Sequence, residues 1–153
     1  MKSLNAFAVI GLLVLSMSAV CALHEDTSAT IKSELENKGL ATRVVYVENS
    51  TYGLPGYVIV INVTDGDYVT ATRRAMVAAA NGGIGNYPNC AIIGLIGPSE
   101  KAYQIKINNI DMPDIRYETF DNNLDASKDR AERYFDSATV TTLQKLEAYF
   151  GTQ

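Results

Sequence analysis

Histidine is almost absent from this sequence, which contains a single one, His24. Proton transfer near neutral pH and zinc binding both depend heavily on imidazole. His24 lies where the mature chain is predicted to begin, and a frayed terminus is expected there. We therefore do not expect Cys–His catalysis, Ser–His catalysis or a histidine-based metal site.

Cysteine is nearly as rare, and the two residues are Cys21 and Cys90. A disulfide within the chain would need both, yet Cys21 lies in a segment that we expect to be removed. Cys90 begins the apolar run CAIIGLI, which predicts a small buried hydrophobe there. The core must therefore hold the fold without a covalent cross-link, and about 130 residues suffice for that.

Positive charge is also scarce, with thirteen Lys and Arg against seventeen Asp and Glu, a net charge of −4. Removal of Lys2 with the N-terminal segment leaves twelve positive side chains against seventeen negative ones, a net charge of −5. A phosphate backbone is bound mainly by clustered positive charge. We therefore expect no nucleic-acid partner.

The N-terminal stretch MKSLNAFAVIGLLVLSMSAVCAL has the three parts of a secretory signal. One lysine precedes an apolar run, and small residues follow up to Ala22. We predict a signal peptide over residues 1–22 and a single domain over residues 24–153, secreted or otherwise outside the cytoplasm.

Two alternatives to cleavage stay open. The tetrapeptide that ends at Cys21 loosely resembles a lipobox, in which the cysteine carries a lipid. Residues 4–23 are also about long enough to stay as a membrane anchor, since roughly 20 apolar residues cross a bilayer. In each case membrane contact is confined to the N-terminal segment.

Helix-like and strand-like segments alternate along the rest of the chain. Periodicity predicts helices over residues 27–38, 67–80 and 125–150, and strands over residues 42–50, 57–63, 90–97 and 101–108. The helix between the second and third strands makes those strands parallel if they are neighbours. The fourth strand alternates polar and apolar residues, which is typical of an edge. We predict an α+β fold, with a two-layer, four-stranded mixed sheet in the order 1-2-3-4 and helices mainly on one face.

The glycine-rich loop NGGIGNYPNC, residues 81–90, is the first candidate for a binding site. Phosphate-binding loops lead from a strand into a helix, whose N-terminal amides then face the anion. This loop leads from a helix into a strand, so we interpret its glycines as a helix cap and a turn. The predicted partner contacts are loop side chains, because exposed loops carry function and Tyr is enriched at interfaces: Tyr52, Asn86, Tyr87 and Asn89.

The stretch DNNLDASKDRAE, residues 121–132, resembles an EF-hand calcium loop. It offers oxygen ligands at several of the required offsets: Asp121, Asn123, Asp125, Asp129 and Glu132. It departs from the pattern at the sixth position, where Ala126 replaces the glycine of the sharp turn, and Pro113 leaves little room for an entering helix. The alternative interpretation is that the same acids lie at the start of the last helix.

These observations favour an exported, non-enzymatic binding or interaction domain for a protein or a small ligand. Two other classes stay open: a histidine-independent hydrolase that uses Asp and Glu, and a weak calcium-binding structural module. The acids Asp111, Asp114, Glu118 and Asp121 lie in what looks like an irregular link, where solvation at the surface is the default. Calcium is the one cofactor for which the sequence offers ligands.

We predict that the natively produced protein begins at Leu23 or His24. Measurement of the intact mass tests this, because trimmed, acylated and full-length chains differ in mass. A full-length or lipid-bearing mass would contradict cleavage.

Overall fold

The computed structural model describes residues 22–84, 90–120 and 124–151. The helices are α1 (22–36), α2 (Tyr68–Asn81), α3 (Met112–Phe120), α4 (Leu124–Asp136) and α5 (Leu143–Glu147). The strands are β1 (Thr42–Val47), β2 (Gly56–Asn62), β3 (Cys90–Ile96), β4 (Ala102–Asn108) and β5 (Thr139–Thr141).

One mixed sheet joins these strands in the order β1-β2-β3-β4-β5. β2 and β3 are parallel, and the other neighbouring pairs are antiparallel. α2 connects the parallel pair, as expected because a parallel pair needs a long crossover. The α+β class, the mixed sheet, the order of the first four strands and the parallel central pair are therefore confirmed.

The fifth strand corrects the predicted sheet of four. β5 pairs with the outer side of β4 at Ala102, Tyr103 and Gln104, so the first three residues of β4 are not at an edge of the sheet. The predicted last helix is in fact α4, β5 and α5 in succession. A strand of three residues is too short to show an alternating pattern of polar and apolar residues in the sequence. It forms because it pairs with β4, which is distant in sequence.

The link before α4 is also a helix, α3, although we predicted it to be irregular. Pro113 is the second residue of α3. Proline is tolerated in the first turn because the amide that it lacks would have no partner within the helix. Met112 and Ile115 are 1% exposed and join the main core, so tertiary packing holds this helix in place.

The main core lies between one face of the sheet and helices α1 to α4. β2 presents Tyr57, Ile59 and Ile61 to it, and α2 contributes an unbroken buried run from Ala75 to Ala80, in which four of the six residues are alanine. Small side chains let a helix approach a sheet closely, which suits the alanine-rich sequence. Most of the described helices therefore lie on this face.

The opposite face of the sheet carries a smaller core beneath α5. Val58, Val60 and Ile92 point to this side, and Leu146 of α5 packs on them. Cys90 belongs to this cluster, is 2% exposed and is a free thiol whose pKa is raised by burial. Its predicted role as a buried hydrophobe is confirmed.

The first described helix begins earlier than predicted and includes His24. The His24 ring stacks on Tyr46 with 3.6 Å between ring centroids, and its Nδ1 lies 2.6 Å from the Tyr57 hydroxyl. The prediction of a frayed terminus at His24 is therefore wrong. Contact between the imidazole and two strand tyrosines orders the residue, and such contacts are invisible in a linear sequence.

Polar contacts join the helices to one another. Nε of Arg116 donates to the Ala80 carbonyl at the end of α2, 3.1 Å away, which places a cation where the helix dipole is negative. Nε of Arg73 donates to the hydroxyl of buried Ser127 on α4 at 2.7 Å. α2 begins with Asp67 as its cap, which accepts from the Thr70 amide. Hydrogen bonds from the side chain and the amide of Thr70 lower the pKa of Asp67.

No helix within residues 22–84, 90–120 and 124–151 combines the length and the apolar character needed to cross a bilayer. The predicted signal peptide or anchor lies almost entirely outside the described residues.

Gly94 makes room for α5, which gives a prediction about stability. A Cβ at residue 94 would lie 2.8 Å from Cδ2 of Leu146 and 3.2 Å from Cγ2 of Val60. Gly94→Ala is expected to lower the free energy of unfolding by about 1–3 kcal/mol in urea denaturation, because it overpacks the smaller core.

The matched test is a double-mutant cycle. Leu146→Ala removes the closest obstacle, so Gly94→Ala should cost less in that background, with a coupling energy of about 1 kcal/mol or more. Gly151→Ala is the control, since nothing lies within 4 Å of a Cβ there. Additive costs would contradict the proposed contact.

Candidate functional site

An open crevice lies at the end of the sheet where β2 and β3 finish. Its volume is about 590 Å³. Two of its walls are formed by the ends of β2 and β3 and the residues that follow them. The other walls come from the start of β1 and from α5. We call this site the carboxyl-end crevice.

The topology accounts for the position of this crevice. After β2 the chain turns into α2 on one face of the sheet, whereas after β3 it turns back into β4 within the sheet. Two parallel strands whose continuations separate leave a gap beyond their carboxyl ends. Ligands of open α/β sheets bind at such points.

Both polar and apolar side chains line the crevice. Val63, Ile96 and Leu143 form the apolar part of the wall, while Asn62 and Thr64 are exposed and supply an amide and a hydroxyl. A predominantly apolar wall with a few convergent polar groups is typical of small-molecule sites, whose volumes are about 300–1,000 Å³.

An ion pair between Arg43 and Glu147 forms the charged part of the crevice. Nη2 of Arg43 donates to Oε1 of Glu147. The guanidinium also lies over the Phe150 ring, with Cζ 4.3 Å from the ring centroid. Both charged groups stay accessible, because 46% of the Arg43 side chain and 45% of the Glu147 side chain are exposed.

A second crevice of about 570 Å³ lies on the same face of the sheet, near its opposite end. The loop between β1 and β2 and the other side of α5 line it, with Glu48 and Lys145 as its charged residues. The hydroxyls of Thr51 and Tyr149 are 2.7 Å apart and join the loop to the C-terminal segment. It lies at the amino ends of the parallel pair, away from the point where the chain leaves β2 and β3 in different directions.

The described parts of the glycine-rich segment, residues 81–84 and Cys90, lie at that opposite end as well. Cys90 begins β3 at its amino end, and none of these described residues lines the carboxyl-end crevice. Gly83 has a φ of +94°, which supports the interpretation as a turn after the helix. Asn86, Tyr87 and Asn89 lie outside the described residues.

Tyr52, the remaining predicted partner contact, packs back onto the sheet. Its hydroxyl accepts from Nε2 of Gln104 at 3.0 Å, and Nζ of Lys106 lies 5.0 Å from the ring centroid. It keeps 38% of its surface exposed. The loop that carries Tyr52 thus covers part of β4, and its role in binding a partner stays a prediction.

The predicted calcium ligands are divided between α4 and residues outside the described part of the chain. Asp125, Asp129 and Glu132 lie in α4, and Asp121 and Asn123 are not described. A helix spreads its residues along an axis at 1.5 Å each, whereas a calcium loop folds them around one point.

Glu132 pairs with Lys128 at 3.9 Å. Among the described residues, no three His, Cys, Asp or Glu side chains come together as a metal site. The calcium site stays a prediction to which the helix lends no support.

The acids before α4 surround one arginine. Nε of Arg130 donates to both carboxylate oxygens of Glu118, at 3.0 and 2.9 Å, and Asp114 lies 3.9 Å from Nη2. The hydrogen bond to Glu118 raises the pKa of Arg130. This pair is largely buried, with 17% and 16% of the side chains exposed, and it joins α3 to α4. The arrangement neutralises the carboxylate rather than leaving two acids free for hydrolysis.

The carboxyl-end crevice was missed because its residues are scattered through the sequence. Arg43 and Glu147 are separated by 104 positions. The one signal available was the parallel pairing of the second and third strands, which predicts a crevice beyond residues 62 and 96. The residues of α5 that complete it were assigned to a longer helix.

The Tyr134 hydroxyl gives a prediction about pH dependence. Burial raises the pKa of Tyr134 to about 12, and the hydrogen bond and negative charge of Asp111 act in the same direction. A tyrosine in the unfolded chain titrates near pH 10. Between these values the unfolded state loses its proton first, so the free energy of unfolding falls as pH rises.

Tyr134→Phe should make that fall less steep, as measured by urea denaturation from neutral pH to pH values near 12. Tyr117→Phe is the control, because 68% of Tyr117 is exposed. Equal slopes for the wild type and Tyr134→Phe would contradict the raised pKa.

No protein-family model, no curated protein and no solved structure is significantly similar to this chain.

Proposed function

We propose that the protein is an exported, non-enzymatic binding domain, and that its ligand is a small molecule held in the carboxyl-end crevice. The observation that carries this proposal is the position of an open, mostly apolar crevice beyond the one parallel strand pair of the described sheet. Its charged and polar side chains come from three separate segments: β1, the end of β2 with the residues after it, and α5.

The rigidity of the surroundings supports a binding role. Asn62 and Val63 are held by backbone hydrogen bonds to Ala41 and Ile96, at 3.1 and 2.7 Å. The Gly97 amide bonds to Lys101 at 2.7 Å and closes the turn on the other side. A site whose walls are ordered before binding loses less conformational entropy when it takes a ligand.

Export is supported by the N-terminal sequence. The predicted signal peptide of residues 1–22 favours a location outside the cytoplasm, and the predicted alternatives of an anchor or a lipid favour the same location.

The hydrolase and the calcium module remain alternatives without support from a specific contact. A hydrolase of this kind needs two carboxyl groups across a cleft. The carboxyl-end crevice is lined by one described carboxylate, Glu147, and the second crevice by Glu48.

We predict that Thr64→Trp abolishes ligand binding, because the indole would fill the crevice from an exposed position on its wall. The measurement is saturation-transfer NMR on a mixture of amino acids, sugars, short-chain carboxylates and nucleosides. Wild type should give transfer to at least one class, and Thr64→Trp to none. Thr30→Trp, on the exposed side of α1, is the matched control.

Two outcomes would overturn the proposal. If the signals persist in Thr64→Trp, the ligand binds elsewhere. If a compound in the mixture is consumed over time by wild type, the protein is an enzyme.

A further inference from the structure

We propose that the carboxyl-end crevice binds a free α-amino acid with an aliphatic side chain, Arg43 holding its carboxylate and Glu147 its ammonium group. This inference rests on the proposed binding function and names the class of ligand for that site.

The ion pair in the crevice leaves groups of both signs available. In the described part of the chain, Nη2 of Arg43 contacts Oε1 of Glu147. A guanidinium has five N–H donors and a carboxylate has two acceptor oxygens. Nε and Nη1 of Arg43 and Oε2 of Glu147 are thus left for a ligand, on side chains that are nearly half exposed.

Neighbouring residues hold both charges in position. Phe150 supports the face of the Arg43 guanidinium, with 4.3 Å from Cζ to the ring centroid. Glu147 follows Leu146, which is 0% exposed and anchors α5 on the sheet. These contacts hold the positive charge of Arg43 and the negative charge of Glu147 side by side, in position for a ligand that carries both charges.

Charge complementarity then selects a zwitterion. A ligand with a carboxylate alone would meet Arg43 but would lie against the negative Glu147, and an amine alone would lie against Arg43. A molecule whose two charges are separated by a single carbon atom satisfies both neighbours at once. An α-amino acid has this arrangement, whereas the ends of a peptide lie farther apart.

The rest of the crevice fits the remaining parts of such a ligand. Val63, Ile96 and Leu143 offer an apolar surface for an aliphatic side chain. Asn62 and Thr64 supply an amide and a hydroxyl that can share the carboxylate with Arg43.

The test uses leucine and three analogues: 4-methylpentanoate and 3-methylbutylamine, which each lack one of its two charges, and neutral 4-methylpentanamide, which lacks both. Titrations are followed through the backbone amides of Asn62, Thr64, Gly97 and Leu143 in ¹H–¹⁵N spectra. We expect leucine to bind at least about tenfold more tightly than each analogue, a factor that corresponds to the loss of one charged contact.

Charge-neutralising variants assign the two roles. Glu147→Gln should weaken leucine binding about tenfold and strengthen the binding of 4-methylpentanoate, because the opposing negative charge is gone. Arg43→Gln should weaken both. Glu36→Gln and Arg133→Gln, at exposed sites on α1 and α4, are the matched controls and should change nothing.

The outcomes separate this inference from the proposed function. If the neutral amide binds as tightly as leucine, the crevice is a binding site but the zwitterion is overturned. Unchanged leucine affinity in Glu147→Gln overturns it in the same way. If none of the four probes shifts the crevice amides, the amino-acid ligand is overturned, and the mixture experiment with Thr64→Trp decides whether the binding function falls with it.

Discussion

The fold depends on the parallel pairing of β2 and β3, two strands that are buried on both faces. Their alternating side chains supply both cores: Ile59 and Ile61 point to the main core, and Val58 and Val60 to the smaller one. A parallel pair requires a crossover, and α2 provides it on one face. The antiparallel neighbours β1 and β4 then continue the sheet outward. The same pairing leaves the crevice beyond the carboxyl ends, so the architecture and the candidate site have one physical origin.

The C-terminal segment has two roles that are coupled. Leu146 closes the smaller core over Gly94, and the next residue, Glu147, meets Arg43 in the wall of the crevice. Phe150 supports the same arginine from the other side. A change that loosens α5 therefore affects stability and the geometry of the crevice together. Most of the charged contacts of α3 and α4, in contrast, bind helices to one another and have no part in that site.

Two acidic side chains, Glu118 and Glu147, show the difference between a contact that joins helices and a group that lines the crevice. Glu118 is paired with Arg130 between two helices, which shields it from solvent and from any substrate. Glu147 is also paired, but with nearly half of its side chain exposed at the edge of an open volume. The buried Glu118–Arg130 pair is therefore a contact between helices, whereas the exposed Glu147–Arg43 pair is a candidate for binding a ligand.

Local pattern alone determined the α+β class, the two central strands and the buried character of Cys90, because continuous apolar runs and helical spacing are recorded residue by residue. The parallel pairing of the two strands follows only when they are neighbours in the sheet, which the tertiary structure decides. Local pattern did not determine β5, whose three residues form a strand only because β4 is beside them, nor α3, which is held by the burial of Met112 and Ile115 in spite of Pro113. The place of His24 against Tyr46 and Tyr57 and the meeting of Arg43 with Glu147 likewise depend on contacts between distant segments. Only the tertiary structure decides such contacts, since their free energy comes from packing that no short stretch of sequence contains.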